Sequence, residues 1–295
     1  MLATVCIPTY NRINILLKTL KYWQNQTIKD FELLIIDDNS TDGTFEILNK
    51  YKKENNFSNL IIIRNDKNYG SAYGRNLGAL CSNAKIVIYT DDDAFVYPNY
   101  VENHLKYHYK YNNLILRGPI INFDNLELID KIFFNSNSFQ KYLFLLKGYS
   151  RNYFCTANVS IKKELIVKAG LFNLDFYRWQ DTELGYRLRK LGLKRIFSFD
   201  IPVFHFKENF NNIEKMKNHY YNEGKYAAKL VKTHNNLSTK LRTAFIFPNN
   251  IIWKLKYLKT NESLKNHQIK ENQKKIKQIK KEYYIKGFMD EYFSK

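Results

Sequence analysis

Hydrophobic positions along the first 120 residues alternate between two spacings. Residues 4–8 form an apolar run that predicts a strand, and residues 13–24 carry Leu16, Leu17, Leu20 and Trp23 at helical spacing. Apolar runs at 31–37, 60–64 and 85–90 predict three more strands. Between them, Phe45 and Leu48 mark the inner face of a helix that Ser40 or Thr41 can cap and that runs to about residue 53. Residues 71–81 predict a helix that opens after Gly70. Strands alternating with helices of this length predict a parallel sheet covered on both faces, with ligands bound beyond the carboxyl ends of the strands.

The later pattern is less regular. Residues 122–150 are rich in Asn, Phe and Leu, show no clear period and read as a variable segment. Residues 153–161 predict a strand, 162–169 a short helix ended by Gly170, and 181–191 a helix with Leu184, Leu188 and Leu191 on its core side. Short strands follow at 195–199 and 203–206. Beyond residue 211 the pattern is helical to the end, with breaks near Asn235-Asn236, Pro248 and Thr260-Asn261. The expected organisation is an α/β domain over residues 1–210 and a basic helical extension over 211–295.

Charge separates the two parts. The net charge is +19, and residues 216–295 alone hold 18 Lys/Arg against 6 Asp/Glu. Such a tail suits an anionic surface or is a solvated, Lys-rich helical face; a membrane is the partner expected here, and nucleic acid is not. Cys6, Cys81 and Cys155 lie far apart and read as small residues of a reducing compartment, not as a disulfide or zinc framework. No signal-peptide pattern opens the sequence, and no run of about 18 apolar residues predicts a spanning helix. A cytoplasmic protein is expected, with a peripheral place on the inner face of the cell membrane as an option.

Candidate chemistry gathers at the predicted strand ends. Thr9-Tyr10-Asn11-Arg12 follows the first strand, Asp37-Asp38-Asn39-Ser40 the second, Asn68-Tyr69-Gly70-Ser71 the third and Asp91-Asp92-Asp93 the fourth. Three adjacent carboxylates repel one another, and hard divalent ions take carboxylate oxygens and bridge to phosphates. The triplet therefore reads as a metal site for a phosphorylated ligand or, more plainly, as a solvated acidic turn. A calcium-loop reading from Asp38 fails, because position twelve is Asn49 and not a bidentate Glu. Small residues from Gly70 to Gly78 permit close approach to phosphate or tight helix packing, and Arg75 can pair with a phosphate or with the triplet. Asp181 is a helix-capping aspartate or a general base. His205, between Phe204 and Phe206, is by itself an ordinary core or turn histidine.

Taken together, these motifs resemble family 2 glycosyltransferases with the GT-A fold. The resemblance rests on Ile7-Pro8-Thr9-Tyr10-Asn11-Arg12, Ile36-Asp37-Asp38-Asn39-Ser40, Gly70-Ser71-Ala72, Gly74-Arg75-Asn76, and the Asp-x-Asp of Asp91 and Asp93. It continues through Thr156-Ala157-Asn158, Ala169-Gly170-Leu171-Phe172, Trp179-Gln180-Asp181-Thr182-Glu183-Leu184 and Tyr186-Arg187-Leu188, and covers residues 4 to about 206. It implies a mostly parallel sheet flanked by helices, a nucleotide-sugar donor (a UDP-sugar favoured) and inversion at the anomeric carbon. It implies Mn2+ or Mg2+ on Asp93, and Asp181 as the base. Pro8, Thr9, Tyr10, Arg12, Asp38, Gly70, Ser71, Arg75, Asp91 and Asp92 are the implied donor-binding set, with Thr9 and Asp38 on the base and Asp91 on the ribose. The stretch from Ala169 to Phe206 is similar to the C-terminal part of chondroitin- and hyaluronan-type synthases, where a histidine completes the metal site; His205 is the candidate. Trp179 and Gln180 are acceptor-side candidates, and the variable segment is expected to face a glycan or lipid-linked acceptor.

Two departures matter. The family usually has Glu-Asp where this chain has Gln180-Asp181, and no Gln-x-x-Arg-Trp follows Asp181. With no spanning helix expected, transfer of one sugar fits better than processive extrusion of a polymer. Residues 240–295, with Phe245, Phe247, Ile251, Ile252 and Trp253 beside Lys254, Lys256 and Lys259, are expected to meet an anionic membrane surface. The rival readings are a sugar-nucleotide nucleotidyltransferase, which lacks its glycine-rich loop here, and a catalytically silent binding protein on the same scaffold.

Overall fold

The computed structural model describes residues 1–127, 129, 153–207, 212–243 and 273–294. Most of the variable segment and the aromatic–lysine stretch from Ala244 to Lys259, with the expected breaks at Pro248 and Thr260-Asn261, lie outside the described residues. The chain divides into two compact units, residues 1–175 with 180–208 and residues 176–179 with 209–295.

In the first unit, the strands β1 (Ala3–Thr9), β2 (Phe31–Asp37), β3 (Leu60–Arg64) and β4 (Ile86–Thr90) alternate with the helices α1 (Ile13–Gln24), α2 (Thr44–Glu54) and α3 (Ser71–Cys81). Then come β5 (Ala94–Val96), α4 (Tyr100–Lys110), β6 (Leu114–Arg117) and β7 (Ile120–Phe123). After the variable segment come β8 (Asn158–Lys162), α5 (Lys163–Lys168), α6 (Gln180–Arg189), β9 (Lys194–Phe197) and β10 (Val203–Phe206). Among the described residues the main sheet has the order β3-β2-β1-β4-β8-β6-β9, and a small sheet has the order β5-β10-β7. The first four strands are parallel, while β8 runs antiparallel to both β4 and β6. This is the mostly parallel GT-A sheet that the motifs imply.

Successive residues of a strand face opposite sides of a sheet, and the two cores follow that rule. Ala3, Val5, Ile7, Leu33 and Ile35 join Leu16, Leu20 and Trp23 of α1 on one side. Cys6, Leu34 and Ile36 join Ala72 and Ala79 of α3 on the other. Gly78 lets α3 approach β1 closely, since a Cβ there would fall 2.1 Å from Cys6 Sγ.

Some boundaries differ from the sequence expectation. Neither Ser40 nor Thr41 caps α2. Gly43, at φ +80°, leads into the helix, and Asp42 accepts from the Thr44 N–H. The Ser40 hydroxyl instead accepts from Asn11 N–H at 2.9 Å, and Thr41 N–H donates to the Asn11 side chain at 2.7 Å. These bonds lock the loop after β1 to the loop after β2, with Asn11 in the left-handed region at φ 52°. The predicted strand at 153–161 starts only at Asn158, and β5, α4, β6 and β7 were not expected as separate elements.

The second unit contains α7 (Ile213–Thr233), α8 (Leu237–Arg242) and α9 (Gln273–Phe293). Asn212 caps α7, and the expected break at Asn235-Asn236 is a capping box in which Asn236 and Thr239 satisfy each other's backbone. Gly224 lies against the Tyr284 carbonyl and Gly287 against the Tyr221 carbonyl, so α7 and α9 cross antiparallel with their backbones in contact. Ala227, Ala228, Val231, Ile285, Phe288 and Met289 form their core. Among the described residues no helix is long and apolar enough to cross a membrane.

One buried polar cluster holds α4 on the sheet. Ser160 Oγ of β8 lies 2.7 Å from His104 Nδ1 and 2.8 Å from His108 Nε2. The hydroxyl has one proton, so it donates to one ring and accepts from the other. Burial favours neutral rings and lowers the His108 pKa from 6.5 to about 4, and lowers His104 as well. Between those two values the unfolded chain binds a proton at His108 that the folded chain does not. That part of the stability is complete above pH 6.5 and is lost as the pH falls toward 4. Replacement by Gln, which never titrates, isolates the effect. Urea melts are expected to show the parent losing about 3 kcal/mol relative to His108→Gln between pH 7.5 and 4. Parallel curves would contradict a neutral buried pair.

Candidate active site

The acidic triplet lies in the turn between β4 and β5, closed by Ala94 N–H donating to the Asp91 carbonyl at 3.2 Å. Strand β10 pairs antiparallel with β5, and the register sets His205 opposite Ala94. The Phe206 N–H donates to the Asp93 carbonyl at 3.0 Å. This pairing carries His205 across 112 positions of sequence to the triplet, with Nε2 at 2.9 Å from Asp93 Oδ1 and 3.8 Å from Asp91 Oδ2. One ligand atom from each of Asp91, Asp93 and His205 lies within 4.8 Å of the other two. Parallel pairing with β7 sets Asn122 beside His205, where Asn122 Oδ1 takes Nδ1 at 3.0 Å. With Nδ1–H donated there, Nε2 faces the carboxylates, as a metal-binding imidazole requires.

Charge at this turn is balanced from three directions. Burial raises the Asp93 pKa, but His205 and Arg12 outweigh it and hold it below the ordinary carboxylate value. Burial lowers the His205 pKa, and Asp93 and Asp91 outweigh it in the upward direction. Arg12 Nη2 donates to Asp93 Oδ2 at 2.6 Å, and Nη1 lies 3.1 Å from Asp92 Oδ1. Thr9 Oγ1, the hydroxyl expected on the base, donates its proton to Asp92 Oδ2 at 2.8 Å. Asp92 is 4% exposed, and burial raises its pKa to about 7.

The residues fit a divalent cation. Asp93 Oδ1 is buried and, among the described residues, faces His205 Nε2 at 2.9 Å without a hydrogen-bond partner. Two carboxylates and an imidazole are a mixed oxygen and nitrogen donor set. That set suits Mn2+ better than Mg2+, which prefers oxygen ligands alone.

Arg75, only 7% exposed, links this cluster to α6. Its Nη2 donates to Asp91 Oδ1 at 3.0 Å and its Nη1 to Gln180 Oε1 at 3.1 Å. Gln180 Nε2 donates in turn to Ser71 Oγ at 2.9 Å. The start of α3, the start of α6 and the triplet therefore share one network. Asp181 follows Gln180, and its carboxylate accepts from Thr182 N–H at 2.7 Å. Burial raises the Asp181 pKa, with Arg75 and Arg117 offsetting part of the rise.

The remaining expected residues divide between site and scaffold. Asp38 Oδ1 accepts from Asn65 Nδ2 and Tyr69 N–H, and Oδ2 from Gly70 N–H at 2.7 Å. Asp38 thus fastens the loop before α3, where Gly70 adopts φ +85°. Pro8 packs under α3, where a Cβ on Gly74 would meet it at 3.1 Å. Tyr10 is 44% exposed at the end of β1. Trp179, at φ +62°, packs in the core of the second unit and donates its indole N–H to the Glu223 carbonyl at 3.0 Å. Two further motifs serve as scaffold. Asn76 brackets both backbone groups of Phe172, and Arg187 joins Glu183 to the Ala169 carbonyl. Asn122 and Asn65 escaped sequence reading, because no local spacing ties them to their partners.

The profile described as Glycosyl transferase family 2 matches residues 4–169, and the chain belongs to that family. The uncharacterized glycosyltransferase YfnE of Bacillus subtilis is 27% identical over 256 residues, covering 70% of this chain and 64% of YfnE. Chondroitin synthase of Escherichia coli is 26% identical over 228 residues, covering 64% of this chain and 32% of the synthase. The match spans about half the length of other curated relatives. Among solved structures, the mannosyltransferase PcManGT of Pyrobaculum calidifontis with GDP-Man and Mn2+ superposes with a TM-score of 0.67 at 14% identity, covering 99% of this chain and 87% of that one. TarS of S. aureus with UDP-GlcNAc gives 0.57 at 17% identity, covering 78% and 67%. At these identities the two structures establish the GT-A fold.

The Asn122 contact can be tested apart from catalysis. Asn122→Leu is expected to weaken Mn2+ binding about tenfold by calorimetry, as loss of a group that orients a metal-binding histidine does. Unchanged affinity would show that Asn122 does not set the His205 ring.

Proposed function

We propose that this chain is an inverting, metal-dependent glycosyltransferase. It moves one hexosyl or N-acetylhexosaminyl group from a nucleotide sugar, UDP-sugars being favoured, to a hydroxyl of a glycan or lipid-linked acceptor. Such a step belongs to surface polysaccharide or glycoconjugate synthesis. The observation that carries this reading is the Arg75 bridge, which ties the acidic triplet to the helix start bearing Asp181. The GDP-Man and Mn2+ of PcManGT and the UDP-GlcNAc of TarS support the donor class and the ion.

In this reading Tyr10 stacks on the base, Asp38 accepts a base N–H, and Asp91 meets the ribose. Asp91, Asp93 and His205 would hold Mn2+ or Mg2+, whose charge stabilises the departing nucleoside diphosphate. Asp181 takes the proton of the acceptor hydroxyl. The acceptor oxygen forms its bond to the anomeric carbon from the face opposite the diphosphate, while the carbon–oxygen bond to the β-phosphate breaks. A single displacement of this kind inverts the anomeric centre.

Incubation with a panel of UDP- and GDP-sugars and candidate acceptors is expected to release nucleotide with at least one donor, and a chelator is expected to stop it. No release and no binding with any donor would defeat the reading. Asp181→Asn is expected to keep donor binding and lower turnover about 100- to 10,000-fold. Because the Asp181 pKa is raised, activity is expected to fall with acid at a pH above the usual carboxylate range. Undiminished turnover in Asp181→Asn would remove it as the base.

The reading includes a location, a peripheral contact between residues 240–295 and an anionic membrane on the cytoplasmic side, which the 18 Lys/Arg against 6 Asp/Glu of residues 216–295 support. Sedimentation with vesicles containing anionic lipid is expected to carry down the full chain and lose it at high salt. Equal sedimentation after deletion of 240–295 would contradict this.

A further inference from the structure

We propose that Asp92 is a positioning residue: held by Thr9 and Arg12, it fixes the turn that presents Asp91 and Asp93 to a divalent cation, and it gives the cation no ligand. This rests on the reading that a divalent cation binds the cluster.

Both oxygens of Asp92 are already engaged. Oδ2 accepts from Thr9 Oγ1 at 2.8 Å, and Oδ1 faces Arg12 Nη1 at 3.1 Å. Its carbonyl oxygen lies 3.4 Å from Thr19 Oγ1 of α1. The donor atoms that cluster within 4.8 Å come from Asp91, Asp93 and His205, and not from Asp92.

Asp92 also divides the Arg12 guanidinium. A guanidinium prefers to grip one carboxylate with two parallel N–H groups. Here the fork is split, with Nη1 toward Asp92 and Nη2 on Asp93 Oδ2 at 2.6 Å. Asp93 therefore yields one oxygen to Arg12 and turns the other, Oδ1, toward His205. Without the Asp92 carboxylate, Arg12, whose side chain is 38% exposed, can turn both N–H groups onto the oxygens of Asp93 and compete with the cation. Thr9 takes part because it lies on β1, which pairs parallel with β4. Its hydroxyl ties the ends of two neighbouring strands together through Asp92.

The test is Mn2+ binding to the whole chain, read by calorimetry and by the Mn2+ paramagnetic resonance spectrum, with thermal melts to verify folding. Asp92→Asn is expected to bind about tenfold more weakly, with the spectrum of the bound ion unchanged at saturation. Asp93→Asn is expected to lose detectable binding. Thr9→Ser, which keeps the hydroxyl, is expected to match the parent, and Thr9→Val to follow Asp92→Asn. Equal affinity in Asp92→Asn and the parent would overturn the proposal. So would loss of binding in Asp92→Asn as complete as in Asp93→Asn, or an altered spectrum, because either would make Asp92 a ligand. If Thr9→Ser and Thr9→Val behave alike, the Thr9 hydroxyl has no part. Failure of the parent itself to bind Mn2+ would overturn the cation reading first, a result distinct from all of these.

Discussion

Three carboxylates at the end of one buried strand are the constraint around which the first unit is organised. Like charges this close repel strongly in a low-dielectric setting, and one answer is neutralisation of one of them. Burial moves Asp92 in that direction, raising its pKa to about 7, and the fold supplies positive charge to the triplet from separate directions. Arg12 arrives from the loop after β1, Arg75 from α3 and His205 from β10. Each belongs to an element that packs beside β4 or pairs with the strand that follows it. The sheet order β2-β1-β4 and the small sheet β5-β10-β7 thus act as the frame of an electrostatic balance.

That balance gives the members of the triplet different tasks. Asp93 offers a buried oxygen toward His205, Asp91 is shared with Arg75, and Asp92 is absorbed by Thr9 and Arg12. Arg75 extends the network to Gln180 and Ser71. Gln180 is neutral, so it shares the guanidinium without competing for its charge. A carboxylate in that position would draw Arg75 away from Asp91. The departure from Glu-Asp is therefore compatible with an intact neighbourhood for Asp181.

Where periodicity was strong, the sequence was readable. The first four strands and α1 to α3 stand within a few residues of the apolar runs and helical stripes that predict them. The strand-end loops were readable for the same reason, since parallel topology gathers them on one edge. Short elements were not. β5 has three residues and β7 four, too few to show a period, and their existence depends on pairing with β10. Asn122 went unseen because only that pairing brings it to His205. His205 itself was legible only through resemblance to known enzymes, since its flanking Phe204 and Phe206 describe an ordinary strand. Likewise the short loop bonds of Asn11, Ser40 and Asp42 replaced a simple helix cap, a choice that local propensity does not reveal.

In the proposed reaction Asp91, Asp93 and His205 would form one cation site facing a nucleoside diphosphate. Crystals grown with Mn2+ and UDP, with data collected at the manganese absorption edge, test it most directly. The account predicts one anomalous peak in coordination contact with Asp93 and His205, with diphosphate oxygens on its open side and Asp92 still bonded to Thr9 and Arg12. A peak held by Asp92, or a diphosphate bound with no peak between Asp93 and His205, would contradict it.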